Sequence, residues 1–269
     1  MEAEKSNMYS SGEAYLKASG VMNNELTMWS VAAGIFVQEA VRKERKSVFG
    51  ENPAEIGLKL REELRAVSVL DMCCGPGTFV NYLALVYPHI TVTGIDVNKA
   101  FLEYASRRFG EYGWEFIKAD AKDFDLKRTF DFVTAASAYH HLEDEFKVDF
   151  LLNARKHLAA GGKVIVCEQF LPHYSNESTR IHAINKYYGL LRKHCSRGGI
   201  TREIIQAIDE THQLELSGHE EHKVHHAAFE LHAQAAGFEI ELDIPVWQPK
   251  EFMKDNAGSF VILLEPLPL

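Results

Sequence analysis

What most restricts the fold of this chain is an alternation that begins at Val67. Short β-branched or aromatic runs, SVLDM, TVTGIDV, EFIKAD, FDFVTAAS and KVIVCEQF, are separated by the helix-length segments TFVNYLALVY, NKAFLEYASRRFG and EFKVDFLLNARKHLAAGG. Strands alternating with helices require right-handed crossovers, and therefore a mostly parallel sheet covered on both faces. Two last runs, FEIELDIPVW and SFVILLEPL, flank a short connection containing Pro and Gly and predict an antiparallel pair.

Helical sequence lies on either side of this core. Residues 1–66 read as an N-terminal helical region, with apolar residues three and four apart in MNNELTMWSVAAGIFVQEAVRKERK and a second helix in NPAEIGLKLREELRA. After Phe170 a polar, His-rich and helical stretch is expected to run to about Gly237. The division is thus a helical lid over 1–66 and a sheet domain over 67–269, with a helical insertion at 171–232.

Composition narrows the function classes. With 269 residues, 46% of them hydrophobic, the chain can bury one substantial core. Its formal net charge of -9 repels phosphate backbones and anionic lipid, and no apolar run approaches the roughly 18 residues that span a bilayer. The expectation is a cytoplasmic protein without nucleic-acid or membrane partners, its four cysteines free thiols. Apolar faces on the added helices make a homodimer a further expectation.

The first strand runs into DMCCGPGTFVNYL. Gly75 and Gly77 let the backbone approach a ligand closely, and the helix opening near Thr78 offers unpaired N–H groups. Asp96 ends the second strand, 25 residues after Asp71, at the distance expected of a carboxylate that accepts hydrogen bonds from a ribose diol. Asp120 ends the third. Three acidic strand ends on one edge suit a nucleoside ligand better than a bare phosphate. Cys73 and Cys74 have no second CxxC pair or metal-spaced histidine and read as small loop residues.

VLDMCCGPGT, GIDVN, IKADAKDF, FDFVTAASAYHHL and LAAGGKVIV, in this order and spacing, resemble the motifs of the class I S-adenosylmethionine-dependent methyltransferases over residues 67 to 168. The resemblance implies a Rossmann-like seven-stranded α/β sheet, mostly parallel with an antiparallel last strand, and S-adenosylmethionine as cofactor. It places Asp71 and the Gly75 to Gly77 backbone at the methionine part, Asp96 and Val97 at the ribose, Asp120 and Ala121 at the adenine edge, and Ala136 with Ser137 on the other side. Cys73 stands where that family usually has its first glycine.

Two rival readings remain at this point. One keeps the fold and cofactor but performs a non-methylating reaction or senses the cofactor. The other is a nicotinamide dinucleotide oxidoreductase, since Gly75-x-Gly77-x-x-Val80 nearly fits G-x-G-x-x-G; Val80, branched, replaces the third glycine.

On the acceptor side, Tyr139, His140 and His141 follow the fourth strand, and His140 or His141 is a candidate base for an acceptor that must lose a proton. Glu168 and His173 follow the fifth strand on the same edge, where a carboxylate also serves as a loop cap. Tyr9 and Tyr15 are candidate lining residues of a small-molecule acceptor pocket under the helical lids. In HEEHKVHHAAFELH, His222 and His226 fall at i and i+4 on one expected helix face beside Glu221, yet match no zinc-enzyme signature. The stretch from His219 to His232 reads as a solvated helix face, and no metal is assigned.

Overall fold

The computed structural model describes residue 13 and residues 23–45, 66–197 and 202–268. The expected helix over 52–66, together with Tyr9 and Tyr15, lies outside these except for Ala66. Seven strands, β1 (Val67–Met72), β2 (Ile90–Asp96), β3 (Glu115–Lys118), β4 (Phe130–Ala136), β5 (Leu158–Phe170), β6 (Phe238–Trp247) and β7 (Gly258–Pro266), form one sheet. Its order is β3-β2-β1-β4-β5-β7-β6, and β7 alone runs antiparallel to its neighbours. The antiparallel strand inserted between β5 and β6 departs from the 3-2-1-4-5-6 order of a dinucleotide-binding sheet.

Three helices cover one face: α1 (Asn23–Arg45), α2 (Thr78–Val86) and α3 (Lys99–Phe109). The α1 helix forms because Met28, Trp29, Ala32, Ala33, Phe36 and Ala40 recur at helical spacing, and it buries them against β5 and β7. Asn98 starts α3 by accepting hydrogen bonds from the amides of Ala100 and Phe101 at 3.0 and 3.3 Å. The other face carries α4 (Lys147–Lys156) and α7 (His226–Ala235), while α5 (Glu177–Arg197) and α6 (Arg202–Ser217) build a separate apolar cluster with Leu171, Trp247 and Phe252. Among the described residues no helix is long and apolar enough to cross a membrane.

Two elements differ from the sequence reading. Helix α4 stops at Lys156, and LAAGG belongs to β5: His157 caps the helix, donating from Nδ1 to the Asn153 carbonyl at 2.8 Å and accepting the Leu126 amide at Nε2. The His-rich stretch is not one helix. Between α6 and α7, residues 218–225 form an extended strap, so His222 and His226 share no helix face. The reason is long-range backbone pairing. The amide of His222 donates to the His140 carbonyl at 2.7 Å, and that of Leu171 to the Val224 carbonyl at 3.0 Å.

This topology sets the site. Strand order reverses between β1 and β4, and Asp71 at the end of β1 lies in register with Gly94 of β2 and Thr134 of β4. The loop after β1 therefore opens into the crevice where open α/β sheets receive ligands.

Candidate functional site

A cavity of about 320 Å³ opens at this crevice. From β1 and its loop it is lined by Asp71, Cys73, Cys74 and Gly75; from β2 by Asp96 and Val97; from β4 by Ala136, Ser137 and His141. Trp29 of α1 and Glu220 of the strap close it from outside the sheet.

Backbone geometry marks the same place. Gly75 and Gly77 have φ of 53° and 78°, and a Cβ on Gly77 would lie 2.5 Å from the Phe109 ring. Five non-glycine residues have positive φ among those described, and three of them, Cys73 (56°), Ser137 (54°) and Glu220 (64°), line this cavity. Left-handed conformations of ordinary residues persist where the surroundings impose them, and they gather at functional sites.

The acidic groups are built in. Asp71, 2% exposed, accepts a hydrogen bond from the Thr134 hydroxyl at 2.7 Å. Burial pushes its carboxyl up to about 7 against the pull of that hydroxyl, and Asp96 nearby adds to the rise. Asp96 accepts the amides of Gly75 and Asn98, both at 2.8 Å, and burial raises its carboxyl above the ordinary range. Two buried hydroxyls at the site, those of Thr78 and Ser137, have no hydrogen-bond partner. Cys74 is buried with Sγ over Gly94, where a side chain would collide with it; burial lifts both adjacent thiols far from the thiolate range, as small structural loop residues require.

Several expected residues stand elsewhere. Asp120 is exposed beside Lys122, and Ala121 is packed in the core under Asn153. Tyr139 turns inward: its hydroxyl meets Nδ1 of His232 at 2.5 Å, and Lys147 lies 4.3 Å over its ring. His173 is exposed and packs on His225. His140 and Glu168 are buried behind the cavity wall, where Nδ1 of His140 donates to Glu168 at 2.5 Å and its backbone amide donates to the other oxygen at 3.1 Å. Burial holds the His140 imidazole well below its ordinary value. Of the two histidines only His141 reaches the cavity, with Nδ1 2.9 Å from the Glu220 carbonyl oxygen. Glu220, Asn98 and Phe101 also line the cavity; no local sequence pattern marks Glu220, whose place comes from the strap's path.

Residues 69–162 match the family model described as Methyltransferase domain. That stretch, about a third of the chain, is similar to a methyltransferase domain. The chain is 29% identical over 122 residues to a demethylmenaquinone methyltransferase of Thermotoga maritima, a match covering 45% of this chain and 52% of that protein. A malonyl-[acyl-carrier protein] O-methyltransferase of Legionella pneumophila is 36% identical over 93 residues, covering 32% of this chain and 33% of its own. The chain thus spans about half and a third of the curated relatives it matches. Among solved structures, an S-adenosylmethionine-dependent methyltransferase from Clostridium acetobutylicum superposes with a TM-score of 0.52 at 13% identity, over 79% of this chain and 89% of that one. That likeness is one of fold.

Proposed function

We propose that the protein transfers a methyl group from S-adenosylmethionine to a small-molecule acceptor at oxygen, nitrogen or carbon, in the cytoplasm. One observation carries this reading: side chains from the ends of β1, β2 and β4 and a glycine turn border a single cavity at the reversal point of the sheet. The residues fit such a cofactor. Asp71 and Asp96 complement a ligand bearing an ammonium, a sulfonium and a diol, and the unpartnered hydroxyls of Thr78 and Ser137 offer further polar partners.

When bound, S-adenosylmethionine supplies a methyl group already activated on a sulfonium. The protein's share is alignment and exclusion of water. Asp71 and the Gly75 turn hold one end, Asp96 holds the diol, and Trp29 with the strap at Glu220 shields the opening. Cover from both an N-terminal helix and the strap supports a small acceptor rather than a polymer, and the net charge of -9 argues against nucleic acid. His141 is the histidine placed to take a proton from the acceptor.

The test is calorimetry with S-adenosylhomocysteine and with a nicotinamide dinucleotide, followed by mass analysis of small molecules incubated with methyl-labelled S-adenosylmethionine. Binding of S-adenosylhomocysteine that is lost in Asp96→Ala supports the reading. Binding of the dinucleotide alone overturns it.

A further inference from the structure

His141 belongs to a polar cluster whose other members lie behind the cavity wall and have no part in the proton transfer. One donor atom each from His140, His141 and Glu221 lies within 4.8 Å of the others. Nε2 of His140 is 3.8 Å from Glu221 Oε2, and Nδ1 of His141 is 3.8 Å from Glu221 Oε1. These gaps are too wide for hydrogen bonds. What they show is two imidazoles gathered round one carboxylate, a grouping that can close on a single cation.

The partners around the three residues are those of metal ligands. Glu168 takes the Nδ1 proton of His140, which leaves Nε2 with its lone pair and fixes the ring. The Glu220 carbonyl accepts the Nδ1 proton of His141 at 2.9 Å, which leaves Nε2 of that ring as its ligand atom. Lys223 grips Glu221 at Oε2, is itself held by Glu215 at 3.3 Å and by the Tyr188 hydroxyl at 3.1 Å, and so leaves Oε1 turned to His141. A second, independent feature points the same way. Glu25, 7% exposed, lies within electrostatic reach of Lys223, Glu221 and Glu168, and its Oε2 has no hydrogen-bond partner. An unpaired buried carboxyl oxygen beside two further carboxylates and one ammonium leaves room for additional positive charge.

We propose that His140, His141 and Glu221 bind one divalent transition-metal ion, with coordination positions open toward the acceptor end of the cavity. Two imidazoles and one carboxylate are the donor set for zinc, iron, cobalt or manganese in sites that keep open positions. Because His141 lines the cavity, such an ion meets the acceptor there. Resting on the methyl-transfer reading, its role is that of a Lewis acid: an acceptor hydroxyl gives its proton to water, and the oxygen then forms a bond to the methyl carbon as the carbon–sulfur bond breaks and S-adenosylhomocysteine leaves. His141 then serves as ligand, and no side-chain base is needed.

The experiment is titration of untagged, chelator-treated full-length protein with Co2+, read by calorimetry and by the visible absorption of coordinated cobalt, with S-adenosylhomocysteine binding measured separately. One equivalent is expected to bind. His140→Ala and Glu221→Gln weaken it at least tenfold and Glu168→Gln about tenfold, whereas His226→Gln, at the other His–carboxylate group formed with Glu230 and Asp243, leaves it unchanged. If His140→Ala fails to fold, the partly exposed His141→Asn decides in its place. No cobalt bound to folded protein, or affinity unmoved by these variants and lost instead with His226 or the strap's other histidines, overturns the proposal. Failure to bind S-adenosylhomocysteine overturns the methyl-transfer reading and leaves the metal result standing.

Discussion

Asp96 reaches back from the end of β2 to accept the Gly75 amide at 2.8 Å, so one carboxylate both shapes the turn after β1 and faces the cavity. Removing it does two kinds of damage. Asp96→Ala leaves the Gly75 and Asn98 amides without their acceptor and deletes the contact to a ligand diol. Hydrogen bonds to a charged acceptor contribute about 1.5–3 kcal/mol, so S-adenosylhomocysteine affinity falls roughly ten- to hundredfold by calorimetry. An unchanged dissociation constant would remove Asp96 from the site.

Ligand affinity depends on pH through Asp71. Its carboxyl, ordinarily ionised well below neutrality, is pushed up to about 7 by burial. A ligand ammonium beside it favours the ionised form, so binding takes place with loss of a proton below pH 7 and without one above. Affinity is then about tenfold weaker at pH 6 than at pH 8. The sign for stability is opposite. With the folded value above the unfolded one, ligand-free protein loses stability as pH rises toward 7, and added ligand raises the melting temperature most at pH 8. Asp71→Asn flattens both profiles; a pH dependence that survives it would assign the effect to another group.

The strand ends are legible in the sequence because two local signals coincide there: short β-branched or aromatic runs, then acidic residues and glycines suited to a turn. Asp71, Gly75 and Asp96 follow from those, whereas Ser137 follows from the family resemblance. The neighbours Tyr139, His140 and His141 do not separate on such grounds. All three lie in one short 3-10 turn at the edge of β4, whose residues point in different directions, and only packing against His232, Glu168 and Glu220 decides which one faces the cavity. The strap lies inside the polar, His-rich stretch after Phe170 that the sequence predicts to be helical. Its path is set by backbone pairing to His140 and Leu171, some 50 to 80 residues earlier, which no local period records.

Cys73 gives a stability prediction. It occupies a left-handed conformation, φ 56°, where its side chain meets a steric cost of about 1–2 kcal/mol. Glycine relieves that cost but gains about 0.5–1 kcal/mol of unfolded-state freedom. Cys73→Gly should therefore stabilise the ligand-free protein by about 1 kcal/mol or slightly less in denaturant unfolding, and widen the cavity wall at that point. Destabilisation would mean that the thiol's packing outweighs the backbone strain.

Lys223 provides the strongest test of how the strap is held. Its ammonium, 2% exposed, lies between Glu221 and Glu215, which are 1% and 0% exposed, and Arg180 binds Glu215 at 2.8 Å from the other side. A buried ion pair adds little over an apolar replacement of the whole group, but removing one member strands the charges that remain, at a cost of about 3–5 kcal/mol. Lys223→Met leaves Glu221 with no cation on its strap side, whereas Glu215 keeps Arg180. The loss should then be carried mainly by Glu221, so that adding Glu221→Gln to Lys223→Met recovers a large part of the stability while adding Glu215→Gln recovers little. A double-mutant cycle in which both second substitutions behave alike would show that Lys223 acts through its contact with Tyr188 instead of through its charge on the two carboxylates.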